Sequence, residues 1–229
     1  MTRSNRRIPL LVALVAAALP ARSPAQTRTF SLDSLEGLKP LKAVAAAVTY
    51  KGRKAIRVTE PPGKPVESDE RLVIVEGTAF QGGVIEVDLA GQPAAGAIEA
   101  ARGFVGVAFR VAGDASRFEC IYLRPTNGRA NDQARRNHST QYVSVPDFPW
   151  FRLRKEFPEK YESYVDLAPG EWTRVKIEVR GVEARLYAHG AAQPCLLVND
   201  LKLGVTKGAV ALWIGVGTEA HFANLRVTP

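Results

Sequence analysis

"VIEVDLA", residues 84–90, switches sides at every step. Ile85, Val87 and Leu89 fall on one face, and Val84, Glu86, Asp88 and Ala90 on the other. Successive side chains of a strand point to opposite sides, so a period of two reads as a strand with one buried face. The same period recurs outward along the chain. In "FVGVAFRV" (104–111), Val105, Val107, Phe109 and Val111 face away from Gly106, Ala108 and Arg110. "RFECIYLR" (117–124) is a third segment of this kind. "TRVKIEVRGVEARLYAHG" (173–190) reads as two strands joined near Gly181, with Val175, Ile177 and Val179 buried and Arg174, Lys176 and Glu178 toward water.

Lys51-Gly52 marks a hairpin turn in "VTYKGRKAIRV" (48–58), and "GAVALWIGVGTEAHFANLRV" (208–227) supplies two closing strands. Only "PAAGAIEAARG" (93–103) has room for a helical turn, limited by Gly96 and Gly103. Many short strands separated by Gly and Pro imply an all-β sandwich of two sheets.

The first 25 residues read as an export signal. Arg3, Arg6 and Arg7 precede an apolar run from Ile8 to Leu19, and Ser23-Pro24-Ala25 offers a small-x-small cleavage site. A retained anchor is the other reading, but the run is shorter than the roughly 20 residues of a bilayer span. Without residues 1–25, which hold four arginines and no acids, Lys+Arg falls from 31 to 27 against 23 acids. The formal charge drops from +8 to +4. So mild a balance argues against a nucleic-acid partner, which needs a concentrated basic face. The expectation is an exported protein, periplasmic or secreted, with residues 26–229 as one domain and no membrane span in the mature chain. Cys120 and Cys195 fit either a disulfide or two free thiols, and no spacing suits zinc.

One segment departs from the strand pattern. "RPTNGRANDQARRNHSTQYVSVPDFPWFR" (124–152) holds five arginines, a histidine, several amides and a group of aromatics. With its continuation to about residue 156 it reads as a polar insertion.

The order of segments resembles the concanavalin A-like lectin/glucanase jelly rolls, whose fold is a sandwich of two antiparallel sheets. The run "GVIEVDLAG…GFVGVAFRV…RFECIYLRP…PGEWTRVKIEVRGVEARLYAHGAAQP…KGAVALWIGVGTEAHFANLRV" carries the likeness. More narrowly, the chain is similar to the bacterial exported 3-keto-disaccharide hydrolase domains. The residues that match are Phe109-Arg110, Glu119, Gly170-Glu171-Trp172, His189-Gly190 and Phe222-Ala223-Asn224-Leu225. His189 stands where that family has Asn, and the 124–152 segment has no counterpart in its pattern.

Laminarinase-type glycosidases of this fold carry an E-x-D-x-x-E strand. Here Glu86 and Asp88 match its first two acids, and Gly91 stands at the last. Retaining hydrolysis needs two carboxyls about 5 Å apart. Glu86 and Asp88 would lie about 6.5–7 Å apart along a strand, and two acids on a solvent face are the plainer reading. The resemblance also implies a structural calcium between terminal strands, with Asp33 and Asn224 as candidate oxygen donors; no other cofactor is expected.

Sugars present an apolar ring face and a rim of hydroxyls, so their sites combine aromatic platforms with rigid donors. Trp150, Tyr142, Phe148 and Phe151 offer platforms. Arg124, Arg135, Arg136 and Arg154 offer planar forks that also suit the carboxylate of an acidic sugar. Asn127, Asn137 and Gln141 both donate and accept. Tyr122 shares a strand face with Arg124, and Arg110 joins the ligand-binding set. The alternative is that these arginines tie an ordered loop to Asp132, Asp147 and Glu156.

His138 suits general-base work, with Arg136 beside it to keep it neutral, or is only a hydrogen-bond partner. The leading expectation is therefore a carbohydrate-recognising domain. The alternative is a glycoside hydrolase or lyase, acting on 3-keto-glycosides among others, with His138 or the Glu86/Asp88/Glu119 set as acid and base. A structural or protein-binding domain is the third class.

Overall fold

The structure, a computed structural model, describes residues 26–63 and 71–229. The expected export signal over residues 1–25 lies outside the described residues. The first strands are β1 (Arg28–Phe30), β2 (Leu38–Leu41), β3 (Val44–Tyr50), β4 (Arg53–Thr59) and β5 (Leu72–Phe80). Next come β6 (Gly83–Pro93), β7 (Val105–Val111) and β8 (Phe118–Leu123). The polar segment then holds α1 (Pro125–Gly128), α2 (Gln133–Asn137), β9 (Thr140–Val145) and α3 (Trp150–Glu156). The chain ends with β10 (Glu162–Ser163), β11 (Thr173–Arg180), β12 (Glu183–Ala188), β13 (Leu196–Val198), β14 (Gly208–Ile214) and β15 (Thr218–Thr228).

All pairings are antiparallel and make two sheets. One runs β13-β12-β11-β6-β15-β4-β3, with β1 added on β15; the other runs β10-β9-β8-β7-β14-β5-β2. The fold is the all-β sandwich of two sheets that the alternating segments implied, in the jelly-roll form that the resemblance implied. Its two marked hairpins close at Lys51-Gly52 and around Gly181. Lys51 and Gly52 take φ of 46° and 75°, the left-handed pair that a two-residue hairpin turn requires.

In the first sheet Ile85 pairs with Ile177, Val87 with Val175, and Leu89 with Phe222. These side chains are fully buried and form the inner row of the core. Each contributes about 1.5–3 kcal/mol by leaving water. Arg174, Lys176 and Glu178 alternate with them on the outer side.

Strands β7, β8 and β9 behave differently, because every one of their residues is buried. One face looks into the sandwich and the other lies beneath the 124–163 segment. This explains why "TQYVSV" reads as part of a polar insertion although it is an integral strand. Its polar groups are satisfied within the fold: Gln141 Nε2 donates to the carbonyls of Tyr142 and Tyr161, and the Thr140 hydroxyl to that of Ser163.

The 93–103 segment, expected to hold any helical turn, forms no helix. Gly96 and Gly103 adopt φ of 73° and 68° and interrupt it. The helices lie in the polar segment instead. Asp132 caps α2 by accepting from the Arg135 amide, and Arg152 pairs with Glu156 one turn along α3. Leu153 alone anchors α3 in the core. Cys120 and Cys195 are not joined by a disulfide, and burial pushes the Cys195 thiol up to about 11.

Candidate functional site

A cleft of about 420 Å³ opens on the second sheet, against the face that carries Tyr122, Val143 and Trp213. Tyr122 of β8 pairs with Gly106 of β7, and Gly106 pairs with Trp213 of β14. The two aromatic rings therefore flank a glycine and lean together over it, with centroids 4.6 Å apart and planes tilted by 32°. A Cβ on Gly106 would stand 2.4 Å from the Ile121 carbonyl oxygen and 2.5 Å from Tyr122 Cβ. Gly106→Ala is thus expected to push β8 away and to destabilise by about 1–3 kcal/mol, read by urea denaturation. An unchanged midpoint would show that the sheet absorbs the methyl group.

The walls come from the polar segment and two loops. Trp150 and Arg154 project from α3, Asn127 from α1, and Arg135 from α2 with His138 just after it. Ala100, Arg102 and Phe104 enter from the loop before β7, and Gly215 and Val216 from the loop after β14. Trp150 is 43% exposed, and the Arg154 guanidinium lies 5.0 Å from its ring centroid.

Behind this wall sits Glu162 of β10, whose side chain is 3% exposed. Its Oε1 accepts from Arg124 NH1 at 2.8 Å and from Arg154 NH2, and its Oε2 accepts from Arg154 Nε at 2.9 Å. His138 Nδ1 lies 3.0 Å from Oε2, within ion-pair distance but off the line of a good hydrogen bond. Burial alone would raise the Glu162 carboxyl, but the Arg154 and Arg124 contacts outweigh it and hold the group below its usual range.

Arg124 is fully engaged. Besides Glu162 it donates to the His138 carbonyl, the Tyr122 hydroxyl and Gln141 Oε1. Asn127 Nδ2 donates to the same His138 carbonyl at 3.1 Å. Arg124 lines the cleft, yet its donors serve the scaffold. Burial lowers the His138 pKa first, Glu162 opposes, and Arg154 and Arg124 lower it further. The imidazole is therefore neutral at pH 7, with its Nδ1 side against a carboxylate. Arg136, expected to supply that effect, instead donates to the Tyr164 hydroxyl and stacks over its ring. A second hollow of about 220 Å³ shares His138 with the main cleft and adds Asn137, Glu159, Glu162, Ser163 and Tyr164.

Of the residues expected to bind ligand, Tyr122, Arg124, Asn127, Arg135, Trp150 and Arg154 line the main cleft, together with His138. The others lie elsewhere. Gln141 is buried beside Arg124, and Asn137 borders the second hollow. Tyr142 points to the opposite face of its strand, where its hydroxyl donates to Glu119 Oε2 at 2.6 Å and accepts from the Lys202 amide. Glu119 also accepts from the Leu203 amide at 2.8 Å. Burial raises the Glu119 carboxyl against these hydrogen bonds, but it faces the sandwich interior and not the cleft.

Arg110 is 2% exposed and donates to the carbonyls of Gln81, Gly181 and Gly204. It ties three loops and does not reach the cleft. Glu86 and Asp88 stand on β6, in the other sheet, where Glu86 pairs with Arg174 and Asp88 with Arg53. Asp88 also accepts from Asn224 Nδ2 at 2.8 Å, and Asp33 accepts from the Ser31 hydroxyl. Among the described residues no group of three His, Cys, Asp or Glu side chains could hold a metal ion.

Sequence reasoning missed Arg102, Phe104, Trp213 and Glu162. Trp213 was within reach, because the alternation of "ALWIG" sets it apart from Leu212 and Ile214. Glu162 gave no signal, since nothing in the sequence sets it apart from its neighbouring acids Glu156, Glu159 and Asp166.

No protein-family model and no curated protein matches the sequence. Solved structures do share the fold. A carbohydrate-binding module, CBM66, from Bacillus subtilis superposes with a TM-score of 0.56 at 13% identity, covering 84% of this chain and 96% of its own. A Bacillus subtilis protein of unknown function with a galectin-like fold gives 0.57 at 11% identity, over 90% of this chain and 97% of that one. A Bacillus licheniformis β-glucanase gives 0.50 at 12% identity, over 91% and 99%. These likenesses establish the concanavalin A-like architecture. Among the described residues no helix is long and apolar enough to cross a membrane.

Proposed function

We propose that this chain is an exported carbohydrate-recognising domain that binds a glycan or glycoside in the cleft on the second sheet. The observation that carries the reading is the meeting of two chemistries in one hollow. Trp150, Phe104, Tyr122 and Trp213 offer apolar ring surface, while Arg102, Arg135 and Arg154 offer planar donors around it. The apolar face of a pyranose matches the first and its hydroxyls match the second. The volume also falls in the range of about 300–1,000 Å³ typical of small-molecule sites. The fold shared with a carbohydrate-binding module and a glucanase agrees with this reading, as does the charged and apolar leader.

Trp150 is the exposed part of the platform. Trp150→Ala is expected to weaken glycan binding about 30-fold, as loss of an aromatic anchor worth about 2 kcal/mol would. Its melting temperature should stay within about 2 °C of the parent protein, because the side chain is half exposed. A thermal-shift screen of neutral, acidic and 3-keto oligosaccharides would find the ligand, and calorimetry would measure the variant. Unchanged affinity for that ligand in Trp150→Ala would remove the cleft from the reading.

A second reading rests on the His138–Glu162 contact. A neutral imidazole with its Nδ1 3.0 Å from a carboxylate is suited to take a proton at Nε2, so the site could hydrolyse or eliminate a glycoside, including a 3-keto one. Mass spectrometry of each bound glycan separates the two readings. A glycan that is consumed, but survives with His138→Ala, makes the protein an enzyme; one that stays intact makes it a binding module.

A further inference from the structure

The charge around the cleft is out of balance. Four guanidiniums, of Arg102, Arg124, Arg135 and Arg154, line it. Among the described residues Glu162 is the one carboxylate bonded to any of them, and it holds Arg124 and Arg154. With His138 neutral, that leaves an excess of three positive charges. Arg102 and Arg135 form no ion pair among the described residues. Arg102 NH1 is fixed by the carbonyls of Glu99 and Ala101, and Arg135 NH2 reaches only Asn127 Oδ1, at 3.5 Å.

The two groups also feel each other. Burial and then the Arg135 charge hold the Arg102 guanidinium below its ordinary pKa; Glu99 opposes them and Arg124 adds to them. Like charges brought together beside an apolar floor cost free energy that a bound anion would relieve. A neutral sugar would need hydroxyl partners only, which do not call for two like charges side by side.

We infer that the cleft selects an acidic sugar, with a carboxylate or sulfate held between Arg102 and Arg135 and the ring laid against Trp150. This deepens the proposed glycan-binding function and rests on it. Planar guanidiniums suit both anions, because each presents two oxygens to a fork of N–H donors.

The test is calorimetry of the purified protein with three oligosaccharides of the same linkage: neutral, uronate-containing and sulfated. Sodium acetate and sodium sulfate alone serve as the small-anion probes. An acidic oligosaccharide should bind at least about tenfold more tightly than the neutral one at low ionic strength. The advantage should shrink as salt is raised. In the Arg102→Gln/Arg135→Gln double variant the acidic-to-neutral ratio should fall toward one, and the larger gain in the parent protein identifies the anionic group. Equal affinity for neutral and acidic sugars, or a ratio that survives in the double variant, would overturn the inference while leaving glycan binding intact. Acetate or sulfate binding as tightly as the acidic oligosaccharide would overturn the sugar part. Binding of none of the sugars would instead remove the proposed function itself.

Discussion

Glu162→Gln is expected to lower the melting temperature by about 6–12 °C at pH 7. The carboxylate is 3% exposed and holds Arg124, whose own side chain is 6% exposed, together with Arg154. Removing its charge leaves a buried guanidinium without compensation, and breaking a buried pair in this way costs about 3 kcal/mol or more. For a chain of this size each kcal/mol moves the midpoint by about 2–4 °C. The pH dependence follows from the direction of the shift. The folded carboxyl lies below its ordinary 4.5, so its stabilisation is complete above that value and is lost as pH falls through the folded pKa. The melting curves of parent and variant should therefore converge below about pH 4.5. A gap under about 2 °C at pH 7, or one that persists unchanged into acid, would contradict this account.

Arg110→Met should cost about 3–5 kcal/mol in urea denaturation. The side chain is buried at an irregularity where the pairing of β7 with β14 shifts, and its own φ is 55°. From there its donors reach the carbonyls of Gln81, Gly181 and Gly204, which belong to three separate loops. Methionine fills much of the space but leaves those oxygens without their donor, and a buried unsatisfied acceptor costs about 1–3 kcal/mol. Lysine keeps the charge but cannot span three acceptors with one ammonium, so Arg110→Lys should recover less than half of the loss. Affinity for any cleft ligand should be unaffected in the folded fraction. A variant within about 1 kcal/mol of the parent would show that water takes over the three carbonyls.

Arg110 also marks where reading from the sequence ends. As a residue type it belongs with Arg102 and Arg135, and only the path of the chain separates a loop tie from a cleft donor. Tyr142 and Trp150 pose the same problem: both are aromatics in one polar segment, yet one faces the interior and the other the cleft. Strand β9, which carries Tyr142, went unread because its polar residues Thr140, Gln141 and Ser144 are buried and bonded within the fold, where a sequence pattern places them at the surface.

The sequence by itself determined the two-sheet sandwich, since strands half buried on one side must alternate, as residues 84–90 and 173–180 do. It also marked 124–154 as the segment richest in donors and rings. The tertiary structure alone decided which of those groups meet. Strand register carries Trp213 across Gly106 to Tyr122 from about ninety residues away, and folding back of the chain sets Glu162 beneath Arg124 and His138. Such contacts depend on which strands become neighbours, and that order follows from global packing of the sheets with no local pattern to record it.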